Sequence, residues 1–248
     1  MKTVEILDRS SMLTKLNENL FLKPSETAVV TVDLHRGHLD LNIATMPAKP
    51  DDARRVVARA REALDFAREH GIPVVHVKLV FRPIIPGLGS EGLASPFWRA
   101  LHDLTEEENR LTPGRKCTVA GHNIEGAPTT EIIPELLDKR DIVIATKRRL
   151  DCFYGTDLNQ TLQMLGTRNV CLMGINTNTC VLNTAFTAFN HDYRVVVLSD
   201  CVASMYGDDL HELGLQNVAR CLGCVLNNVQ FRERIDAAEQ QTLAMAAS

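Results

Sequence analysis

Cys180 stands where a thiol could act as a nucleophile. It lies in the segment 174–181, after the apolar run 170–173 and before the helix-like run 182–189. At a strand-to-helix turn, unpaired backbone N–H groups and the positive end of the helix dipole lower the pKa of a thiol and can bind a developing oxyanion. A lone cysteine after a strand is also a common packing residue, so the position needs support from other segments.

Two charged residues at the ends of other apolar runs give that support. Asp33 follows the run 28–32, and Lys147 follows the run 142–146. In open α/β sheets the carboxyl ends of the strands face the ligand crevice, so an acid, a base and a thiol would be directed to one edge. Taken singly, Asp33 could be a helix N-cap and Lys147 a solvated surface amine.

The elements that would position these residues alternate along the chain. We predict strands over 27–33, 73–80, 141–147, 169–174 and 194–199, and helices over 51–70, 129–138, 156–166, 179–191 and 207–224. Continuous apolar strands between helices predict a mainly parallel sheet with helices on both faces, a three-layer α/β/α domain. The helix 51–70 carries apolar residues at a period near 3.6 and should stop at Gly71.

We interpret residues 1–248 as one domain, since no internal repeat or long linker divides them. The stretch 81–128 is rich in Pro and Gly and is predicted to be an irregular insertion, either a lid over the site or an oligomer contact. The tail 235–248 is either a docking helix or disordered.

Composition limits the classes of function. With 45% hydrophobic residues, 23% charged residues and a net charge of −4, the chain has no basic patch for nucleic acid. It shows neither a secretory signal nor a membrane span, so we expect a cytoplasmic protein that binds no membrane. Seven cysteines, an odd number, favour reduced thiols. Cys221 and Cys224 have the spacing of a metal or redox pair, but helix packing is the favoured interpretation.

Residues 26–230 resemble the cysteine hydrolases of the isochorismatase-like superfamily, which includes nicotinamidases, N-carbamoylsarcosine amidases, ureidoacrylate amidohydrolases and biuret or triuret hydrolases. The matching segments are Val32-Asp33, Lys147 with 152–158, 174–181 and 195–204. The resemblance implies a Rossmann-like single domain that forms dimers or tetramers. It also implies a catalytic triad of Asp33, Lys147 and Cys180.

The resemblance assigns a role to each of these residues. Cys180 would attack as a thiolate, Asp33 would move the proton to the leaving nitrogen, and Lys147 would favour both anions. The backbone N–H groups of Asn176 and Cys180 would form the oxyanion hole. Family members hold a cis peptide bond at the position that falls between Ile175 and Asn176.

We predict no metal and no cofactor. Nicotinamidases of the superfamily bind a divalent ion through an Asp-x-His pair and a further His. The corresponding region of this chain, around His76, has no Asp-x-His pair. His35 and His38 are better interpreted as polar pocket lining than as a ligand pair. The predicted substrate contacts are His35, Arg36, Arg149, Phe153, Tyr154 and Asn176.

Some of these contacts have alternatives. Arg36 and Arg149 could instead form surface or subunit ion pairs, and Asn176 could only cap a turn. Leu150 stands where biuret-type enzymes tend to place Lys, which argues against biuret itself.

The function expected from these residues is a metal-independent cysteine amidohydrolase. It would cleave a C–N bond of a small ureide, N-carbamoyl or amide compound through a covalent intermediate on Cys180, releasing ammonia. The alternatives are a nicotinamidase- or maleamate-type carboxamide deamidase, or a non-catalytic binding protein on the same fold.

Overall fold

The computed structural model describes residues 5–8, 14–18, 20–82, 97 and 122–246, so most of the predicted insertion over 81–128 lies outside the described residues. The described strands are β1 (Thr27–Val32), β2 (Val74–Leu79), β3 (Ile142–Lys147), β4 (Asn169–Ile175), β5 (Arg194–Ala203) and β6 (Gly223–Leu226). The described α-helices are α1 (Thr14–Glu18), α2 (Arg36–Leu39), α3 (Pro50–Glu69), α4 (Leu158–Met164), α5 (Leu182–Asn190), α6 (Asp208–Asn217) and α7 (Asn228–Ala246).

The strands form one parallel sheet in the order β3-β2-β1-β4-β5-β6. Chain order reverses direction between β1 and β4, which makes that boundary the topological switch point, where doubly wound sheets bind their ligands. The predicted parallel α/β/α architecture is confirmed. β3 forms one edge of the sheet, and three of its six residues are exposed.

Helices pack apolar residues against both faces of the sheet, which explains why its central strands are continuous apolar runs. All six residues of β1 and all seven of β4 are buried. On one face, α3 and α7 contribute Val56, Leu64 and Phe231 to the core. On the other, α4 and α5 contribute Leu158 and Ala185. Strands that are buried on both faces require such runs, whereas strands of a sheet with one exposed face would alternate apolar and polar residues.

Helix α3 agrees closely with the prediction for 51–70. It begins at Pro50, with Asp51 and Asp52 in the first turn, where the helix dipole favours carboxylates. Gly71, with a φ of 67°, lies just after the end of the helix.

Two predicted helices are wrong. The segment 129–138 contains two short 3₁₀ turns, Pro128–Thr130 and Pro134–Leu136. A proline is tolerated only in the first turn of a helix, so Pro134 prevents one helix from crossing the segment.

The helix predicted over 207–224 ends early. α6 stops at Asn217, a π-helical turn covers Val218–Leu222, and β6 begins at Gly223. Gly223 lies against β5, where a Cβ atom would lie 2.1 Å from the carbonyl oxygen of Val195. The helix-packing interpretation of the cysteine pair is therefore also wrong, because Cys224 is a buried strand residue and Cys221 is exposed.

The C-terminal segment is helical, and its first part docks on the domain. α7 buries Phe231, Ile235 and Ala238, whereas residues 240–245 are exposed. Among the described helices, none combines the length and apolar character needed to cross a membrane.

Candidate active site

Asp33 is fixed by β2 at the carboxyl end of β1. Its backbone N–H donates to the carbonyl of Val77 at 2.9 Å, and its Oδ1 accepts the N–H of Leu79 at 2.6 Å. Its φ is 53°, a region that few residues other than glycine adopt. The carboxylate therefore binds a neighbouring strand and is not a helix N-cap.

Lys147, the last residue of β3, lies under the site as a buried cation. Its side chain is 0% exposed, and its Nζ donates to Oδ2 of Asp33. Burial alone would lower the pKa of Lys147. The negative charge of Asp33, with smaller contributions from Cys180 and Cys152, outweighs burial and raises the pKa above its usual value. A surface-amine role is excluded.

Cys180 lies beside this ion pair, in a π-helical turn over Thr177–Val181 between β4 and α5. The charges of both Asp33 and Lys147 act on its thiol. Burial raises the pKa of Cys180 to about 12; Lys147 opposes the shift and Asp33 adds to it. The expected lowering by the turn is therefore outweighed by desolvation, and the thiol keeps its proton at neutral pH.

A buried threonine joins the Cys180 turn to the segment after β3. Thr184 Oγ1 donates to the carbonyl of Cys180 at 2.7 Å and accepts the backbone N–H of Cys152 at 3.1 Å. These bonds connect the elements that carry Cys180 and Lys147.

The turn before Cys180 begins with a cis peptide bond between Ile175 and Asn176, as the resemblance implied. The side chain of Asn176 is anchored, because its Oδ1 accepts the backbone N–H of Met205 at 2.9 Å. Asn176 nevertheless lines the cavity above the thiol.

This cavity, of about 490 Å³, opens over Cys180. Five of the residues predicted for the site line it: Asp33, Arg149, Tyr154, Asn176 and Cys180. The apolar part of the wall comes from Met46, Leu79, Phe81, Leu150 and Met205. A site of this size suits a small molecule.

Three predicted substrate contacts lie away from this wall. His35 is 0% exposed and sits behind His38, with ring centroids 4.6 Å apart. Arg36 forms ion pairs with Asp40 and Glu131, the surface alternative foreseen for it. Phe153 is buried outside the wall, and its ring centroid lies 5.4 Å from that of His191.

Sequence reasoning missed much of the polar lining. His38 lies on the wall, in agreement with its interpretation as pocket lining. The polar wall residues that no prediction named are His122, Asn123, Arg148, Asp151, Thr179 and Asn183. Arg148 and Asp151 are close to Lys147 in sequence, which was a usable signal. No feature of the sequence around His122 points to it.

Among the described residues, one group of side chains outside the cavity could hold a metal ion. His70, Asp236 and Glu239 bring possible ligand atoms within 4.8 Å of one another, where the end of α3 meets α7. His76, from the region compared with nicotinamidases, is occupied with protein partners. Its ring nitrogens bond Thr31 at 2.7 Å and Asp141 at 3.0 Å.

The family model described as the isochorismatase domain matches residues 27–229. The chain belongs to the isochorismatase family. It is 28% identical over 244 residues to the ureidoacrylate amidohydrolase RutB of Stutzerimonas stutzeri, a match that covers 96% of this chain and 94% of that protein.

Solved structures show the same fold. A cysteine hydrolase from Pseudomonas syringae pv. phaseolicola 1448A aligns with a TM-score of 0.71 at 21% identity, over 89% of this chain and 97% of that one. N-carbamoylsarcosine amidase from Thermoplasma acidophilum aligns with a TM-score of 0.61 at 25% identity, over 82% of this chain and 96% of that one.

Proposed function

We propose that the protein is a cysteine amidohydrolase that cleaves a small ureide, N-carbamoyl or amide compound through a covalent intermediate on Cys180 and releases ammonia. The general class, a hydrolase of C–N bonds other than peptide bonds, is supported by membership of the isochorismatase family and by relatives named as amidohydrolases. The observation that carries the proposal is the position of the Cys180 thiol. It lies beside the buried Asp33–Lys147 ion pair, at the switch point of the sheet and on the wall of a small cavity.

The first half-reaction begins with a neutral thiol, because burial raises the pKa of Cys180 to about 12. As sulfur attacks the substrate carbonyl carbon, the thiol proton passes to the carboxylate of Asp33. The C–N bond then breaks, and the departing nitrogen takes the proton from Asp33. An acyl or carbamoyl group remains on sulfur.

The second half-reaction reverses the direction of proton transfer. Asp33 takes a proton from water as the oxygen attacks the thioester or thiocarbamate carbon. The C–S bond breaks, and the thiolate recovers the proton from Asp33. Lys147 stays protonated throughout, so its charge stabilises each anionic stage in a site with little water.

The developing oxyanion would be bound by the backbone N–H groups of Asn176 and Cys180. These residues lie at the two ends of the turn after β4, and both line the cavity. Arg149 and Tyr154 are on the same wall and are the proposed substrate contacts of this chain. A guanidinium can form paired hydrogen bonds with a carboxylate or with a ureide carbonyl.

The test is ammonia release from a panel of biuret, triuret, N-carbamoyl amino acids, ureidoacrylate, maleamate and nicotinamide. Cys180→Ala should abolish turnover, and Cys221→Ser is the matched control because Cys221 is exposed and outside the cavity wall. Mass spectrometry of protein quenched during turnover should find the acyl or carbamoyl group on Cys180. Treatment with a chelator should leave the rate unchanged.

Each part of the proposal can fail separately. Turnover that persists in Cys180→Ala would exclude the covalent mechanism, and turnover lost on chelation would exclude a metal-free one. If only maleamate or nicotinamide is hydrolysed, the substrate belongs to the carboxamide class and not to the ureides.

A further inference from the structure

Three histidines form a cluster beside the triad. His35, His38 and His122 have ring centroids 4.6, 5.0 and 5.8 Å apart, and all three side chains are buried. His38 and His122 reach the cavity wall, and His35 packs behind them. His38 is close enough to the catalytic pair for the charges of both Asp33 and Lys147 to act on it.

The hydrogen bond of His38 fixes which of its nitrogens carries the proton. Nδ1 lies 2.7 Å from the backbone carbonyl oxygen of Met46. A carbonyl oxygen can only accept, so Nδ1 must be the donor. Burial lowers the pKa of His38, and the ring is therefore neutral at pH 7. In a neutral imidazole with a proton on Nδ1, Nε2 is an acceptor.

We propose that Nε2 of His38 accepts a hydrogen bond from a substrate N–H, which makes His38 a specificity-determining residue of the active site. This inference rests on the proposed function, since it assigns a partner to the nitrogen side of the substrate. Backbone N–H groups would bind the carbonyl oxygen, and a neutral acceptor would face the N–H beside it. Compounds with a free N–H next to the scissile carbonyl are then preferred to their fully N-substituted analogues.

The cluster is not arranged as a metal site. Among the described residues, the one set of possible ligand atoms that converges within 4.8 Å is His70, Asp236 and Glu239. The rings of His35 and His38 instead stack at an interplanar angle of 22°. Both ring nitrogens of His35 are buried and have no hydrogen-bond partner within the part of the chain that the structure describes. Burial, together with the neighbouring His38 and His122, holds the pKa of His35 well below its usual value. His35 is therefore a neutral ring that packs against His38, whose Nε2 is the proposed acceptor.

Two substitutions distinguish the roles of the two ring nitrogens of His38. The terminal amide of Asn overlays Nδ1 of His, so His38→Asn keeps an N–H for the Met46 carbonyl and removes the acceptor at Nε2. The longer His38→Gln places an amide oxygen near Nε2 and loses the bond to Met46. We expect His38→Asn to unfold at the wild-type urea concentration and to lose about 10-fold in kcat/KM on an N–H substrate. His38→Gln should recover part of that loss.

The decisive kinetic comparison uses a substrate pair, an amide or ureide with a free N–H beside the scissile carbonyl and its analogue in which every such N–H is methylated, measured as substrates or as competitive inhibitors. The penalty of His38→Asn should fall on the N–H compound and be nearly absent for the methylated one, because only the former has a proton to donate. Equal losses for both compounds, or no loss for either, would overturn the assignment.

Nitrogen-15 NMR of the imidazoles provides a readout that does not depend on turnover. We expect His38, assigned with His38→Asn, to be the neutral Nδ1–H tautomer at pH 7, and its Nε2 resonance to shift when a ureide or amide of the panel is added. A protonated ring, an Nε2–H tautomer, or an Nε2 resonance unmoved by every compound of the panel would refute the inference. A shift without any turnover would support the acceptor site and refute the proposed hydrolysis.

Discussion

Replacing Lys147 with Met tests whether the buried ion pair of Asp33 and Lys147 stabilises the fold. Met has a similar length and no charge, so Asp33 is left without its cation in a site where its side chain is 2% exposed. Removing one partner of a buried pair costs about 3–5 kcal/mol. Asp33 keeps the hydrogen bond from the Leu79 N–H at 2.6 Å, which places the expected loss in the free energy of unfolding near the lower limit, about 3 kcal/mol.

The assay is urea unfolding monitored by circular dichroism at pH 7.5, on wild type, Lys147→Met, Asp33→Asn and the double variant. Domains of this kind have about 5–15 kcal/mol of stability, so the single variants should still fold. The double variant buries no unpaired charge. It should therefore be less destabilised than the sum of the single changes by about 2–3 kcal/mol.

Additive losses, equal within about 0.5 kcal/mol, would refute this reasoning, because they would mean that the two charges do not stabilise one another. Activity is not used here, since all three variants should be inactive. The double variant also guards against a single variant that does not fold, because it removes both charges together.

Three other predictions concern the thiols and the packing of the sheet. Peptide mapping of Cys180 alkylation by iodoacetamide should show a rate still rising at about pH 10, because burial raises its pKa to about 12; a plateau near neutral pH would contradict this. Burial also raises the pKa of Cys171. The folded chain thus keeps a proton that the unfolded chain loses above about pH 8.5, and stability falls with rising pH by about 1.4 kcal/mol per pH unit for this group. Cys171→Ala should reduce the slope of unfolding free energy against pH by that amount, and an unchanged slope would exclude the explanation. Gly174→Ala should destabilise the protein by about 3 kcal/mol or more in urea, since its Cβ would lie 1.9 Å from the Val32 carbonyl oxygen. Gly166→Ala, at a positive φ with open space, should cost only about 1–2 kcal/mol, and equal losses would show that packing is not the cause.

Sequence patterns predicted the central strands well, because burial on both faces of the sheet requires continuous apolar runs. β1 and β4 are continuous apolar runs because helices cover both sides of them. β6 was missed because it has four residues and lies a single turn after α6, so the helical periodicity of α6 extends into it. The helix predicted over 129–138 is absent because Pro134 would stand in its interior, where proline removes a backbone hydrogen bond and clashes with the preceding turn.

In the candidate site, the residues at the ends of strands were the predictable ones. Asp33, Lys147 and Cys180 come together because β1, β3 and β4 are parallel, so that their carboxyl ends lie on the same side of the sheet. The raised pKa of Cys180 was not predictable, because it depends on how completely the site is closed from water. His122 enters the wall from a loop, and tertiary packing alone brings it there.

β3, the edge strand that carries Lys147, is held at both ends by charge. At its start, Asp141 accepts from Arg68 at 2.6 Å and from His76 at 3.0 Å, and at its end Lys147 pairs with Asp33. Among the described residues β3 has one neighbouring strand, β2, so it can open locally at a lower free energy than the centre of the sheet. Opening of β3 alone would withdraw the cation from Asp33 while β1 and β4 remain paired. Under heat or mild denaturant, we expect activity to be lost through local opening of this strand, ahead of global unfolding.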